Sequence, residues 1–301
     1  MRPAPFTYHR PRDIAEALSL LADLGDDAKV IAGGQSLVPM LALRLATPAH
    51  LIDLRFVAEL HAIERRDAIL CIGANVTQRR AEGDERTTAV PLLREALPLI
   101  AHPAIRNRGT VCGSIAHADS AAELPAVTLA LDAVIVVRST RGVRRIAASD
   151  FFVSYLQTAL AADEIIVAVE FPIANSEHSK GPSGAAFCEI TRRHGDFAVV
   201  GVAVSVTLDA GGCVERASVA LSGVASTPVR IGGAELALVG AVPDEQRLTA
   251  AADAARSALD PPGDVHATAD YRRHVSGVLV QRAVRAAYAD ALERREGSVS
   301  P

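Results

Sequence analysis

The chain has 301 residues, half of them hydrophobic and 22% charged, with a formal net charge of −4 at pH 7. This composition supports a large buried core and excludes wholesale disorder. The arginines lie in scattered pairs instead of on one basic face, which disfavours nucleic-acid binding. No apolar run reaches the ~18 residues that a membrane-spanning helix needs, and no signal-peptide pattern opens the chain. We therefore expect a cytoplasmic protein without a membrane span.

The first 55 residues alternate between strand and helix patterns. A short strand near Phe6 is followed by an apolar helical pattern that begins after Asp13, and residues 28–31 read as a second strand. Another helical pattern and a strand over residues 49–54 complete the segment. Such alternation over a short span predicts a small parallel βαβ subdomain over residues 1–55.

Residues 56–175 carry a different pattern, typical of antiparallel strands. Two short strands flank a turn at Asp67, a hairpin is predicted over residues 133–146, and Pro172 closes a strand over residues 164–171. Residues 1–175 are thus expected to form one domain of two subdomains. A polar segment over residues 175–184 is the best linker candidate.

A smaller αβ domain is predicted over residues 185–294. Its first part reads as a three-stranded antiparallel sheet, and helices are expected near 244–259 and 269–293. The last residues, 295–301, are polar and are expected to form a disordered tail.

The four cysteines, Cys71, Cys112, Cys188 and Cys213, are far apart in the sequence and form no C-x-x-C pair. An iron–sulfur cluster or zinc site within this chain is therefore not expected. Their spacing predicts reduced thiols and no metal ligands.

Two glycine-rich segments form the candidate binding site. The first is Ala32-Gly33-Gly34-Gln35-Ser36, between a strand and a helix, and the second runs from Gly109 to Ser114. Paired glycines permit a sharp turn whose N–H groups can form a concave surface for phosphate. Neither segment matches the G-x-G-x-x-G fingerprint or a Walker phosphate loop, so nucleotide hydrolysis is disfavoured. Considered alone, the first segment could equally be a structural turn.

The two segments together resemble the flavin-binding medium subunits of the molybdenum hydroxylase family, which includes carbon monoxide dehydrogenase-like and xanthine dehydrogenase-like enzymes. The likeness covers nearly the whole chain and includes Phe6-x-Tyr8-x-x-Pro11, Ile105-Arg-Asn-Arg-Gly109 and Asp270-Tyr-Arg-Arg-His274. It implies an α+β fold: a two-subdomain FAD-binding domain of the vanillyl-alcohol-oxidase-like (PCMH) type and a smaller C-terminal αβ domain.

The resemblance also implies non-covalently bound FAD, with its pyrophosphate between the two glycine segments. Glu123 would face the adenosine ribose, whereas Asp119 would either contact the adenosine half or cap a turn. The role of His117 stays open, since it could be a proton shuttle or a structural residue. Cys112 and Ser114 stand where the family often has glycine and asparagine. The cofactor-binding residues implied are Ile31, Ala32, Gly33, Gly34, Gln35, Ser36, Leu37, Thr110, Gly113, Ser114, Ala116, Asp119 and Glu123.

The function that the resemblance implies is electron transfer within a multi-subunit enzyme. A large subunit would hold the molybdenum cofactor and a small subunit the [2Fe–2S] clusters, in a dimer of heterotrimers. The FAD would pass electrons from the clusters to an external acceptor such as NAD+, a quinone or oxygen. No catalytic residue is assigned in this chain. Two alternatives stay open: a free-standing FAD-dependent oxidoreductase with its own substrate, and a non-catalytic assembly subunit.

Overall fold

The computed structural model describes residues 2–173 and 181–297. Its first unit is a parallel three-stranded sheet in the order β1–β3–β2, as the βαβ pattern predicts. The Asp13 side chain accepts a hydrogen bond from the Glu16 N–H and so caps α1, whose apolar face is buried. The elements are β1 (Thr7–His9), α1 (Ile14–Leu24), β2 (Ala28–Ile31), α2 (Leu37–Ala42) and β3 (His50–Asp53).

The second unit is a five-stranded antiparallel sheet in the order β4–β5–β10–β6–β7, flanked by short helices. The predicted turn at Asp67 joins β4 to β5 and has a positive φ of 47°. The elements are β4 (Ile63–Arg66), β5 (Ile69–Gly73), α3 (Gln78–Gly83), α4 (Pro91–Ala96), α5 (Pro103–Arg106), α6 (Val111–His117), α7 (Glu123–Ala130), β6 (Val134–Ser139), β7 (Gly142–Ala147), α8 (Ala148–Phe151), β8 (Phe152–Ser154), β9 (Gln157–Thr158) and β10 (Ile165–Pro172).

The C-terminal domain has an antiparallel sheet in the order β11–β12–β13–β14, followed by helices. The prediction of three strands was incomplete, because a fourth strand of two residues pairs with β13. Among the described residues, no helix has the combination of length and apolarity that crossing a bilayer requires. The elements are β11 (Ser183–Ile190), β12 (Val200–Leu208), β13 (Val214–Ser222), β14 (Val229–Arg230), α9 (Gly232–Leu238), α10 (Glu245–Ala258) and α11 (Ala269–Gly297).

Two predicted boundaries differ from the structure. The tail expected from residue 295 begins later, because α11 continues to Gly297, and residues 298–301 lie outside the described residues. Most of the predicted linker, residues 175–180, also lies outside them. The last two linker residues, Ser183 and Gly184, are instead the start of β11.

The C-terminal sheet is covered on both faces. One face packs against α9 and α11, with α10 against these two helices, and carries the inward-pointing residues of a separate apolar cluster. The opposite face contributes Ala185, Phe187, Ala203 and Ala220 to the core of the N-terminal domain, next to α4 and α7. The two domains therefore share an apolar core, which fixes the C-terminal sheet against α4 and α7.

We predict that Gly184→Ala lowers the free energy of unfolding by about 2–3 kcal/mol, the range for overpacking a tight contact. A β-carbon at Gly184 would lie 2.1 Å from the Ala287 carbonyl oxygen and 2.3 Å from the Ala291 nitrogen, so β11 and α11 would have to separate. Urea unfolding measures the difference. The matched control is Gly83→Ala, since a β-carbon there meets no atom within 4 Å. Equal stability of the two variants would contradict this packing.

Candidate functional site

The two glycine segments are in direct backbone contact. A β-carbon at Gly33 would lie 2.2 Å from the Arg108 carbonyl oxygen and 2.8 Å from the Gly109 α-carbon. Only glycine allows so close an approach, because any side chain would overlap the neighbouring backbone. The structure thus brings the two predicted segments together at this point.

The first segment presents unpaired backbone donors. Gly34 has a positive φ of 71°, and the Gln35 side-chain amide donates a 3.0 Å hydrogen bond to the Gly33 carbonyl, which holds the turn. No acceptor in residues 2–173 or 181–297 takes a hydrogen bond from the backbone N–H groups of Gly34, Gln35 and Ser36. The segment is half-buried. Clustered free N–H groups of this kind suit an anionic ligand.

The second segment is held by Thr110, whose hydroxyl oxygen accepts a 2.9 Å hydrogen bond from the Gly113 N–H and so caps α6. A β-carbon at Gly113 would lie 2.6 Å from that oxygen, which explains the glycine. The segment is anchored from α3, where the Gln78 N–H donates to the Gly109 carbonyl at 2.8 Å. Gly113, Ser114 and Ala116 are half-buried, whereas Thr110 is buried.

Cys112 is a buried filler of this segment. Its Sγ lies 3.5 Å from the Ile72 carbonyl oxygen, and its side chain is almost fully buried. Burial raises the pKa of the thiol far above its ordinary value, so a reactive thiolate does not form there. The small-filler interpretation, rather than the redox one, agrees with this environment.

A loop of the C-terminal domain, residues 191–197, packs beside the second segment. A β-carbon at Gly195 would lie 2.5 Å from the His102 ring, and the rings of His102 and His194 meet edge to face at 5.6 Å. Behind them, the buried Arg106 donates to the Ile100 carbonyl at 2.8 Å and pairs with Glu82 at 3.1 Å. These contacts hold residues 102–108, which lead into Gly109, in place.

The turn between α6 and α7 carries Asp119, whose carboxylate accepts a 2.9 Å hydrogen bond from the Ala121 N–H. Asp119 therefore caps this turn, and its contact with the adenosine half of FAD stays a prediction. The Ser120 carbonyl in this turn accepts a 2.7 Å hydrogen bond from the Gly223 N–H, so the turn is joined to the C-terminal domain. Burial, opposed by the charge of Asp119, lowers the pKa of the half-buried His117, which favours the neutral imidazole.

Glu123 begins α7 and is only 3% exposed. Burial raises its pKa to about 7, with Asp119 adding to the shift and Arg106 opposing it. Burial also raises the pKa of Glu189 in β11 to about 8, and the charge of Glu123 adds to this shift. The sequence analysis missed Glu189, although a lone acid in the apolar strand Ser183–Ile190 could have indicated it.

These features fit FAD. The two backbone-lined segments can accommodate a pyrophosphate without displacing any side chain, because glycines stand at each close approach. The predicted residues lie in the first glycine segment and its flanks, on α6, in the turn at Asp119 and, for the buried Glu123, at the start of α7. No group of three or more potential metal ligands occurs among the described residues.

Comparison with known proteins shows which family the chain belongs to. A family model described as the FAD binding domain in molybdopterin dehydrogenase matches residues 4–174, and one described as the CO dehydrogenase flavoprotein C-terminal domain matches residues 185–287. The chain belongs to the flavoprotein subunits of the molybdopterin dehydrogenases. FAD is therefore its cofactor, and it is a subunit of the oxidoreductase class that the family comprises.

Three relatives illustrate the family. The 6-hydroxypseudooxynicotine dehydrogenase complex subunit alpha of Paenarthrobacter nicotinovorans is 43% identical over 98% of this chain and 99% of its own. The solved structure of carbon monoxide dehydrogenase from Hydrogenophaga pseudoflava superposes with a TM-score of 0.91 at 38% identity, covering 96% of this chain and 99% of that one. Quinoline 2-oxidoreductase from Pseudomonas putida 86 gives 0.90 at 39% identity, covering 97% and 100%. The two-domain FAD-binding fold is thereby confirmed.

We predict that Gly33→Ala raises the dissociation constant for FAD at least about 100-fold, because the methyl group would force the two segments apart and disperse the phosphate donors. Fluorescence titration of the flavin-free chain measures the constant, and circular dichroism checks that the variant is folded. Gly232→Ala is the control, since a β-carbon there meets no atom within 4 Å. Full FAD affinity in the folded Gly33→Ala variant would show that the contact is irrelevant to binding.

We predict that the free energy of unfolding of the flavin-free chain falls as the pH rises from about 5 to about 8.5. The folded chain keeps protons on Glu123 and Glu189, with pKa values near 7 and 8, that the unfolded chain releases near the ordinary value of 4.5. The folded state therefore binds more protons in this window, and raising the pH destabilises it. Glu123→Gln should flatten the profile, whereas Glu215→Gln, at an exposed position of β13, should leave it unchanged. Urea unfolding at each pH is the measurement.

Proposed function

We propose that this chain is the electron-transfer flavoprotein of a heterotrimeric molybdenum hydroxylase that assembles as a dimer of heterotrimers. The bound FAD would supply the redox chemistry, receiving electrons from [2Fe–2S] clusters on a small subunit and delivering them to an external acceptor. A large subunit with the molybdenum cofactor would act on the substrate. The observation that carries the proposal is the backbone contact of Gly33 with Arg108 and Gly109, which brings the two glycine segments together.

The chain's own residues bind and orient the cofactor. The free N–H groups of Gly34, Gln35 and Ser36 would neutralise one side of the pyrophosphate, and the Thr110 to Ser114 segment would close the other side. Ser36 stands at the N-cap of α2 without a side-chain capping bond, so its hydroxyl is available to a phosphate. His117 ends α6, and the turn-capping Asp119 follows it. The roles proposed for the residues of this chain are therefore binding and orientation of the cofactor, not transformation of an organic substrate.

The cysteines support the placement of the clusters on a partner. Cys71 and Cys112 are buried in the apolar interior, and Cys188 and Cys213 lie apart from each other on strand β11 and beside β13. Iron–sulfur clusters take their ligands from several thiolates close together. The relatives named as subunits of dehydrogenase complexes point to partner chains in the same way.

The decisive experiment is purification of the tagged chain from its native host. We expect co-purification of a larger and a smaller polypeptide, with about one molybdenum and four iron atoms per FAD, as two [2Fe–2S] clusters require. In that complex, substrate should bleach the flavin absorbance, and the acceptor that restores it identifies the natural oxidant. Gly33→Ala should remove the flavin but keep the metals.

Three other outcomes are distinguishable. A flavin-loaded chain without partners that oxidises an organic substrate would show a free-standing oxidoreductase. Metals and partners with a wild-type chain that takes up no FAD would show an assembly subunit. A complex with flavin and metals in which substrate reduces the clusters but never the flavin would refute the electron-transfer role.

A further inference from the structure

An apolar run directly after the first glycine segment is left largely uncovered. Residues 37–46 read Leu-Val-Pro-Met-Leu-Ala-Leu-Arg-Leu-Ala and contain one polar side chain, Arg44. Only Leu41 of the six residues of α2 is buried. Val38, Leu43 and Leu45 are 52%, 56% and 72% exposed. Consecutive exposed apolar residues are unfavourable on a free surface and are typical of a surface that binds another protein.

Tyr8 of β1 lies on the same side of the parallel sheet as α2. The chain passes from β1 across β3 to β2 and then returns to β3, so two right-handed crossovers place α1 and α2 on opposite faces. His9 is in register with Ile52, which packs in the core with α1. Tyr8, in register with Leu51, therefore points to the α2 side, where its hydroxyl donates a 2.5 Å hydrogen bond to Asp53. The Tyr8 side chain is 47% exposed and adds an aromatic ring to the apolar surface.

Two hydrogen bonds hold the segment before β1 beside the loop that follows α2. The Arg44 side chain donates to the Arg2 carbonyl oxygen at 3.3 Å, and the Thr7 N–H donates to the Ala49 carbonyl oxygen at 2.8 Å. The two segments therefore run side by side, and the exposed residues on them form one surface. We call this surface the α2 face, and its members are Tyr8, Val38, Leu43 and Leu45.

The charged residues at the edge of the α2 face are basic. Arg2 and Arg44 lie beside it, and Arg10 stacks on the exposed ring of Phe56 at 3.5 Å. Within residues 2–173 and 181–297, none of these three arginines pairs with a carboxylate. The acidic side chains of the subdomain lie on or next to α1, on the other side of the sheet, apart from Asp53, which is buried and paired: they are Asp13, Glu16, Asp23, Asp26 and Asp27. An apolar surface with a basic edge fits a partner that carries negative charge.

We propose that the α2 face is the docking surface for the [2Fe–2S] subunit. The proposal rests on the proposed function, in which that subunit delivers electrons to FAD. Ser36 is both the N-cap of α2 and a member of the first glycine segment, so a protein seated on α2 also reaches the edge of the FAD site. Electron transfer requires such closeness of donor and acceptor.

The charge of the α2 face favours this partner over a second copy of the chain. A [2Fe–2S] cluster with thiolate ligands is negatively charged, because its sulfides and thiolates outweigh its ferric ions. The unpaired Arg2 and Arg44 attract a subunit that holds such clusters. A symmetric contact between two copies of this chain would instead bring one basic edge onto another.

The test uses the intact complex, purified through a tag on this chain, and follows its dissociation on dilution by mass photometry. The double variant Leu43→Ser/Leu45→Ser should raise the dissociation constant of the smaller, iron-containing polypeptide at least about 10-fold, because it removes two apolar contacts from the interface. Leu236→Ser, at a position of α9 that is 79% exposed, is the matched control and should equal the wild type.

A charge reversal tests the basic edge separately. Arg44→Glu should weaken binding of the smaller polypeptide about 10-fold at low salt, and the difference from the wild type should shrink in about 0.5 M NaCl, where exposed charges are screened. Arg216→Glu, at an exposed position of β13, makes the same change of charge away from the α2 face and should leave binding unchanged.

Flavin content and circular dichroism separate docking from other roles of the α2 face. Because the substituted side chains are exposed, both variants should keep the fold and the FAD of the wild type. Loss of FAD would show that the cofactor itself covers this face, and loss of the larger polypeptide, with or without the smaller one, would assign the face to a different partner. Either result would overturn the proposal, as would unchanged binding of the smaller polypeptide. A wild type that carries no iron-containing partner would refute the proposed function and this assignment with it.

Discussion

The structure depends on one close approach of two backbone segments. Gly33 lies against Arg108 and Gly109 with no room for a single additional carbon atom. The parallel subdomain and the helical layer of the antiparallel subdomain meet at this point, next to the free N–H groups of Gly34, Gln35 and Ser36. Arg106, bonded to the Ile100 carbonyl and to Glu82, keeps the second segment at the required distance. A backbone-lined site of this kind selects its ligand by shape and by N–H direction, and so tolerates changes such as Cys112 and Ser114.

Electrostatics divide the site into two parts. The glycine segments supply partial positive charge for phosphates, whereas the far end of the path is acidic, with Asp119, Glu123 and Glu189 in succession. An anionic pyrophosphate is therefore directed to the glycine end, and only uncharged polar parts of the cofactor suit the acidic end.

Much of this arrangement could be predicted from sequence, for identifiable reasons. The strand–helix alternation before residue 55 and the turn at Asp67 are local patterns, and both predicted the observed topology. The glycine segments were found because their order and flanking residues resemble a known flavoprotein family, since a glycine pair alone is not distinctive here: Gly211-Gly212 and Gly232-Gly233 are pairs as well. By contrast, the strand Val229–Arg230 is too short to carry a periodicity, and side-chain bonds from Arg230 to Glu235 and Ser218 support it. The meeting of Glu123 with Glu189 depends on packing between domains, which no local pattern encodes.

The sharing of one apolar core by both domains has a consequence for how the chain comes apart. Ala185, Phe187, Ala203 and Ala220 lie in the C-terminal half of the sequence but are buried in the core of the N-terminal half. The boundary predicted from the sequence, the linker at residues 175–184, therefore does not separate two units that unfold independently. Two fragments produced by a cut in this linker would each expose an apolar surface complementary to that of the other. We expect them to reassemble as a noncovalent pair. Substitutions in either half must then preserve its fit to the other half, even though two separate family models match the two halves.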